Sequence, residues 1–260
     1  TAIISPISQD TSVVIPTQQD TPIIPNTSTI SPPISWKQGK LAYVISQGSS
    51  ATLNILNLEN NSNQVISEST DKLNLLGLAF SSDGEALAFY KYPMKLDVIS
   101  DVTNPQILQI AACQSPSFSA DGSQILCVST QHKLILVDSS NGSIIKQINQ
   151  DKYPTLADLS TTTNEISYTV FSGDNSQIWK TTVNGEAASL LAGSATENYA
   201  PDWSPDGTKI AYQSNDGSSD SEIWIMDKNG NSKQRITYTE NGGWSRAPSW
   251  SPDGNYLAYV

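Results

Sequence analysis

The groups able to do chemistry in these 260 residues are few, and their spacing excludes more than it offers. His132 is the only histidine, so a Ser-His-Asp arrangement would have to use it. No Gly-x-Ser-x-Gly elbow is present to display a nucleophile, and His132 stands in a Gln-His-Lys loop of ordinary solvated character. One histidine and two cysteines give no set with the spacing of a zinc or iron site. No glycine-rich loop leads into a helix to cradle phosphate. Residues 216–222, Asp-Gly-Ser-Ser-Asp-Ser-Glu, are rich in oxygen but miss the calcium loop's alternating ligands and its glutamate at position twelve. They read as a solvated loop. No catalytic residue, metal ligand or cofactor is expected, and the chain is read as a non-enzyme.

The two cysteines, Cys113 and Cys127, fall on neighbouring predicted strands. Two readings stay open: a pair of small buried hydrophobes, which is favoured, or a cross-strand disulfide, which a register shift of one residue would permit or forbid.

The elements that position these residues come from a repeat. Trp203-Ser204-Pro205-Asp206-Gly207 followed by Ile210-Ala211-Tyr212 recurs as Trp250-Ser251-Pro252-Asp253-Gly254 followed by Leu257-Ala258-Tyr259. Worn copies start at Phe80 and Phe118; fainter ones are anchored at Leu159 and Trp36. Anchors at 36, 80, 118, 159, 203 and 250, with short strands between them, have the spacing of propeller blades. In each unit an aromatic ends a first strand and Pro-Asp-Gly makes the turn. The second strand is almost wholly apolar, as one packed between two neighbouring blades should be. Its core column is Tyr43, Phe89, Cys127, Tyr168, Tyr212 and Tyr259. A third strand follows in the first five units. Three of these third strands run into Asn-Gly hairpins, at Gly142, Gly185 and Gly230, read as type I′ turns with both central residues at positive φ.

The Trp-Ser-Pro-Asp-Gly-x-x-Ile-Ala-Tyr frame and the Glu-Ile-Trp-Ile-Met-Asp strand from Glu222 to Asp227 resemble TolB-type propeller repeats across residues 36–260. The resemblance implies an all-β propeller of about six four-stranded antiparallel blades, the last incomplete in this chain. It also implies a docking role in the cell envelope, and hence a periplasmic, envelope or extracellular location. The amino-terminal domain that precedes the propeller in TolB has no counterpart in residues 1–35.

Those 35 residues are of another kind. Thr, Ser, Pro, Gln and Ile dominate, six positions are proline, and no Lys or Arg precedes Lys37. They read as an extended linker, giving domains 1–35 and 36–260. The strand ending at Tyr259 is expected to lack an outer neighbour. No apolar run approaches a membrane span. A net charge of −11 opposes binding to nucleic acid or anionic bilayers.

Alternating strands place the tight Pro-Asp-Gly and Asn-Gly turns at one end of the ring and the variable connections at the other. Tyr153, Tyr199, Trp244 and Arg246 precede or open inner strands at that second end, and they are the candidate binding residues at the channel mouth. The chain is therefore expected to be a non-catalytic, exported scaffold that binds a protein or peptide there. The alternative is the gating propeller of a serine peptidase resembling the prolyl oligopeptidase group, whose catalytic domain this sequence does not contain.

Overall fold

The computed structural model describes residues 3–6, 39–47, 50–69, 76–91, 95–148, 152–173, 175–193, 197–215, 220–239 and 243–260. No helix occurs among them. A short strand, β1 (Ile3–Pro6), is followed by a first sheet of β2 (Lys40–Gln47), β3 (Ser50–Asn57) and β4 (Ser62–Ser69). The second sheet is β5 (Leu76–Phe80), β6 (Leu87–Lys91), β7 (Lys95–Ile99) and β8 (Ile107–Ala111). The third is β9 (Cys113–Phe118), β10 (Gln124–Ser129), β11 (Leu134–Asp138) and β12 (Ile144–Ile148). The fourth is β13 (Pro154–Leu159), β14 (Glu165–Ser172), β15 (Asn175–Thr182) and β16 (Ser189–Ala192). The fifth is β17 (Asn198–Trp203), β18 (Lys209–Ser214), β19 (Glu222–Asp227) and β20 (Gln234–Arg235). These five antiparallel sheets are runs of consecutive strands, and their opening strands β5, β9, β13 and β17 adjoin one another in turn. This is a propeller, with those strands innermost.

The remaining strands, β21 (Ser249–Trp250) and β22 (Tyr256–Tyr259), pair with each other, and the far edge of β22 is taken by β1. Ile3 faces Tyr259 and Pro6 faces Tyr256. Within the segment read as a linker, residues 3–6 thus form a strand, and the strand ending at Tyr259 has the outer neighbour it was expected to lack. Proline at a strand's last position on a sheet edge breaks no ladder bond. The rest of the 1–35 segment and the anchor Trp36 lie outside the described residues.

The core follows the apolar columns. Phe89, Cys127, Tyr168 and Tyr212 are buried, while Tyr43 and Tyr259, in the first and last sheets, are half-buried. The Pro-Asp-Gly turns are held by a repeated device. Ser204 Oγ donates to Asp206 at 2.6 Å and accepts the Lys209 amide at 2.9 Å; Ser81, Ser119 and Ser251 do the same with Asp83, Asp121 and Asp253. Bonds from Ser119 and from the amide and hydroxyl of Ser123 pull the Asp121 carboxyl down to about 2. Those aspartates are therefore spent on their own turns.

The Asn-Gly hairpins differ from expectation. Gly142 has φ 73° and Gly230 has φ 83°, but no asparagine before them is left-handed. The acid that ends the third strand changes the turn: the Asp138 carboxylate accepts the amides of Ser140 and Asn141, and the Asp227 carboxylate those of Asn229 and Asn231. Capped this way, the loop is longer and the glycine, not the asparagine before it, carries positive φ, as in a type I turn with a glycine bulge.

Cys113 and Cys127 form a disulfide within the third sheet, with a Cα–Cα distance of 5.9 Å. The register explains it. Ser129 faces Cys113 and Val128 faces Gln114, and the ladder then slips between Leu126 and Val128, which turns Cys127 towards Cys113. The favoured reading of two free thiols missed that slip.

Candidate functional site

The slip recurs on other inner strands: the ladders break between Leu76 and Leu78, between Pro154 and Ala157, and between Tyr199 and Asp202. Ser115, Ala200 and Ala247 carry φ of 54°, 47° and 50° at the matching place, a conformation side chains normally avoid. A bulge bends a strand and re-aims what precedes it. What precedes it here are the predicted site residues.

Tyr153 lies just before β13, is 70% exposed, and meets His132 of the previous sheet edge-on, centroids 6.5 Å apart. Tyr199, near the start of β17, is half-buried and packs on exposed Phe171, at the end of β14, at 5.8 Å. Trp244 is 56% exposed and bridges to Ser221, which sits just ahead of β19. The Arg246 guanidinium lies 3.9 Å from the centre of the Trp244 ring. The predicted residues thus occupy three successive junctions at one end of the ring, each joined to a loop of the preceding sheet. Of the four, Trp244 and Arg246 make a ring contact with each other. No ring contact links one junction to the next among the described residues.

The segment ahead of Trp244 is clamped by Glu222, which the sequence reading placed at the end of a solvated loop and the structure buries at the start of β19. Glu222 is 2% exposed and accepts bonds from Arg235 Nη2 at 2.6 Å, from the Thr239 amide and hydroxyl at 2.7 Å each, and from the Thr237 hydroxyl. Burial alone would raise its pKa. The Thr237 and Thr239 groups and Arg235 outweigh it and hold the carboxyl below the usual glutamate range. Tyr238, between those threonines, is exposed and stacks under Arg235 at 4.7 Å.

Deeper along the inner strands, a chain of hydrogen bonds ties sheet to sheet. Ser117 Oγ donates to Asp158 at 2.6 Å and accepts the Leu159 amide. The other oxygen of Asp158 takes the Trp203 amide at 2.7 Å, and Asp202 takes the Trp250 amide at 2.8 Å. Each is the residue before an anchor, and each bonds the anchor of the next unit. Both carboxylates keep some solvent access, yet protein surrounds them. Desolvation pushes Asp158 up to about 6; desolvation and the nearby Asp158 charge raise Asp202 well above the usual range. The one sequence signal for this pair is a polar residue ahead of an apolar anchor.

Among the described residues, no group of three or more His, Cys, Asp or Glu side chains could hold a metal ion. His132 Nδ1 lies 3.3 Å from the Pro154 carbonyl oxygen and is exposed. No described helix is long and apolar enough to cross a membrane.

Comparison with known proteins agrees with this geometry. A profile of PD40, the TolB beta propeller domain, matches residues 129–260, just over half of the chain. The chain belongs to the TolB beta propeller domain family. TolB from Acinetobacter baumannii superposes with a TM-score of 0.71 at 20% identity, covering 84% of this chain and 57% of that one. This TolB-type chain therefore spans under two thirds of that relative's length. A chain of a nidogen/laminin complex (TM-score 0.65, 12% identity, 85% of each chain) shares the fold. The tricorn protease (TM-score 0.60, 16% identity, 84% of this chain and 24% of that one) shares it too. Curated protein sequences give no match. At these identities the structural likeness concerns the fold alone, and the fold hosts both enzymes and non-enzymes.

Proposed function

We propose that this TolB-type propeller is a non-catalytic, exported scaffold that binds a protein or peptide at the loop end carrying Tyr153, Tyr199, Trp244 and Arg246. The reading includes a ring of six blades, the sixth made of β21, β22 and β1. The observation that carries it is the contrast between the two ends. At the turn end, serine and aspartate side chains are consumed by their own backbone. At the loop end, Tyr153, Phe171, Trp244 and Arg246 are exposed on a backbone fixed by the preceding sheet. Aromatic and arginine side chains held in place with little entropy left to lose are what binding surfaces concentrate. The disulfide supports export, because such bonds persist in oxidising compartments.

The test uses peptides selected from a random displayed library on the folded chain. Trp244→Ala should weaken their binding by about 2 kcal/mol or more with little change in melting. Asp206→Ala should lower melting and leave affinity per folded molecule unchanged. Binders indifferent to Trp244 but lost with the turn residues would reverse the assignment of faces.

A further inference from the structure

The geometry points to an acidic peptide segment as the loop end's ligand, with Arg246 as the carboxylate fork and Trp244 as an apolar contact. This rests on the loop-end reading and gives it a chemical class.

The argument starts from charge. The chain has 25 acidic and 14 basic residues and only two arginines, Arg235 and Arg246. With acids so abundant, an arginine should find a carboxylate, and Arg235 does: Nη2 bonds Glu222 and Nε donates to the Thr237 carbonyl. Lys40, Lys91 and Lys180 are likewise paired, with Glu85, Asp97 and Glu165. Arg246 is not. Among the described residues no carboxylate lies within ion-pair distance of it, and its guanidinium rests instead on Trp244 at 3.9 Å. Lys152, beside Tyr153, is held in the same way, 4.5 Å over the Trp179 ring and without a described carboxylate partner.

Stacking fixes the guanidinium's face and, among the described residues, leaves its N–H edge open. That edge presents parallel donors at the spacing of one carboxylate. The backbone beneath is also set. The Ser245 amide donates to the Ser221 carbonyl at 2.7 Å, and Arg246 and Val260 exchange amide–carbonyl bonds at 2.8 and 2.9 Å. A ligand carboxylate therefore meets an ordered donor pair whose ordering cost folding has already covered, next to exposed ring surface that accepts an adjacent aliphatic or aromatic side chain. A long polyanion would be repelled by a chain of net charge −11, whereas a short segment with one or two acids bears little of that penalty.

The experiment sequences the selected twelve-residue peptides and measures binding of synthetic copies to the full chain and to Arg246→Lys, Arg246→Ala and Trp244→Ala, each checked for unchanged melting. The expected result is enrichment of Asp or Glu beside an apolar residue. Arg246→Lys, which keeps the charge and loses the fork, should weaken binding at least about tenfold. Converting the peptide acid to its amide should cost the same, with no further loss when combined with Arg246→Ala. Neutral or basic peptides that depend on Trp244 but not on Arg246 would overturn the acidic-ligand inference and leave the loop-end reading intact. Peptides indifferent to all three substitutions, or no binders at all, would overturn both.

Discussion

Asp158 and Asp202 are the residues whose chemistry departs furthest from an exposed side chain's. Each accepts an amide bond from the next sheet's anchor, but burial opposes their charge and they stand near each other. Their folded pKa values lie above the unfolded ones, so folding takes up protons here. Their stabilising contribution is complete below about pH 4 and is lost as pH rises through about 6 for Asp158. The turn aspartates have the opposite sign. Asp121, held at about 2, contributes above the unfolded carboxylate range and loses that contribution as pH falls towards 2. Stability should therefore peak in mildly acidic solution. Asp158→Asn keeps an acceptor for the Trp203 amide, offers Ser117 Oγ an amide donor in place of the carboxylate acceptor, and removes the charge. It should melt higher than wild type at pH 8, and the difference should shrink towards pH 4. Parallel melting curves for the two proteins across that range would show that Asp158 carries no buried charge.

At the scale of elements, the sequence was most legible where a side chain serves its own strand or turn. The apolar columns and Ser-x-Asp-Gly turns follow from local preference, so five sheets and every third strand from Leu53 to Met226 stand where the repeat put them. The ladder slips were not legible, because Ser115, Ala200 and Ala247 carry no residue-type mark for positive φ; packing imposes it. The Cys113–Cys127 bond and the aim of Tyr199 depend on those slips, which is why the disulfide was misjudged. The candidate binding residues were proposed from topology, whereas the clamp at Glu222 and the stacking of Arg246 needed coordinates. Contact between sheets also separates glycines that look alike in sequence. Gly142 and Gly173 both turn hairpins at positive φ, 73° and 63°. A Cβ at Gly142 would sit 1.7 Å from the Ile110 carbonyl oxygen of the neighbouring sheet; at Gly173 it would meet nothing within 4 Å. Gly173→Ala should cost only the left-handed strain, about 1–2 kcal/mol. Gly142→Ala should cost clearly more in urea titrations, since the turn must leave the Ile110 backbone. Equal midpoints would mean that the second and third sheets do not meet closely there.

For the whole molecule, the unusual join is between the first strand and the last. β1 and β22 are some 250 positions apart, and β1 gives the sixth sheet its third strand. Such non-local pairing forms late, because closing a long loop has to precede any gain from it. It also rests on a four-residue ladder, too short to add more than about 1–2 kcal/mol at the usual net worth of a backbone hydrogen bond. For a chain of this size that is a melting shift of a few degrees, at about 2–4 °C per kcal/mol. Removing residues 1–8 should therefore leave the five consecutive sheets folded and lower melting only slightly. The local effect should be larger. Hydrogen exchange should quicken at the amides of residues 256–259 that face β1, while the buried amides of Tyr168 and Tyr212 keep their protection. Pro6 already ends the ladder, so Ile4→Pro, which removes a donor opposite Ala258, should reproduce the result without shortening the chain. If exchange at residues 256–259 is the same in all three proteins, β1 is not seated on β22 in solution and the segment from residue 1 serves as a linker throughout.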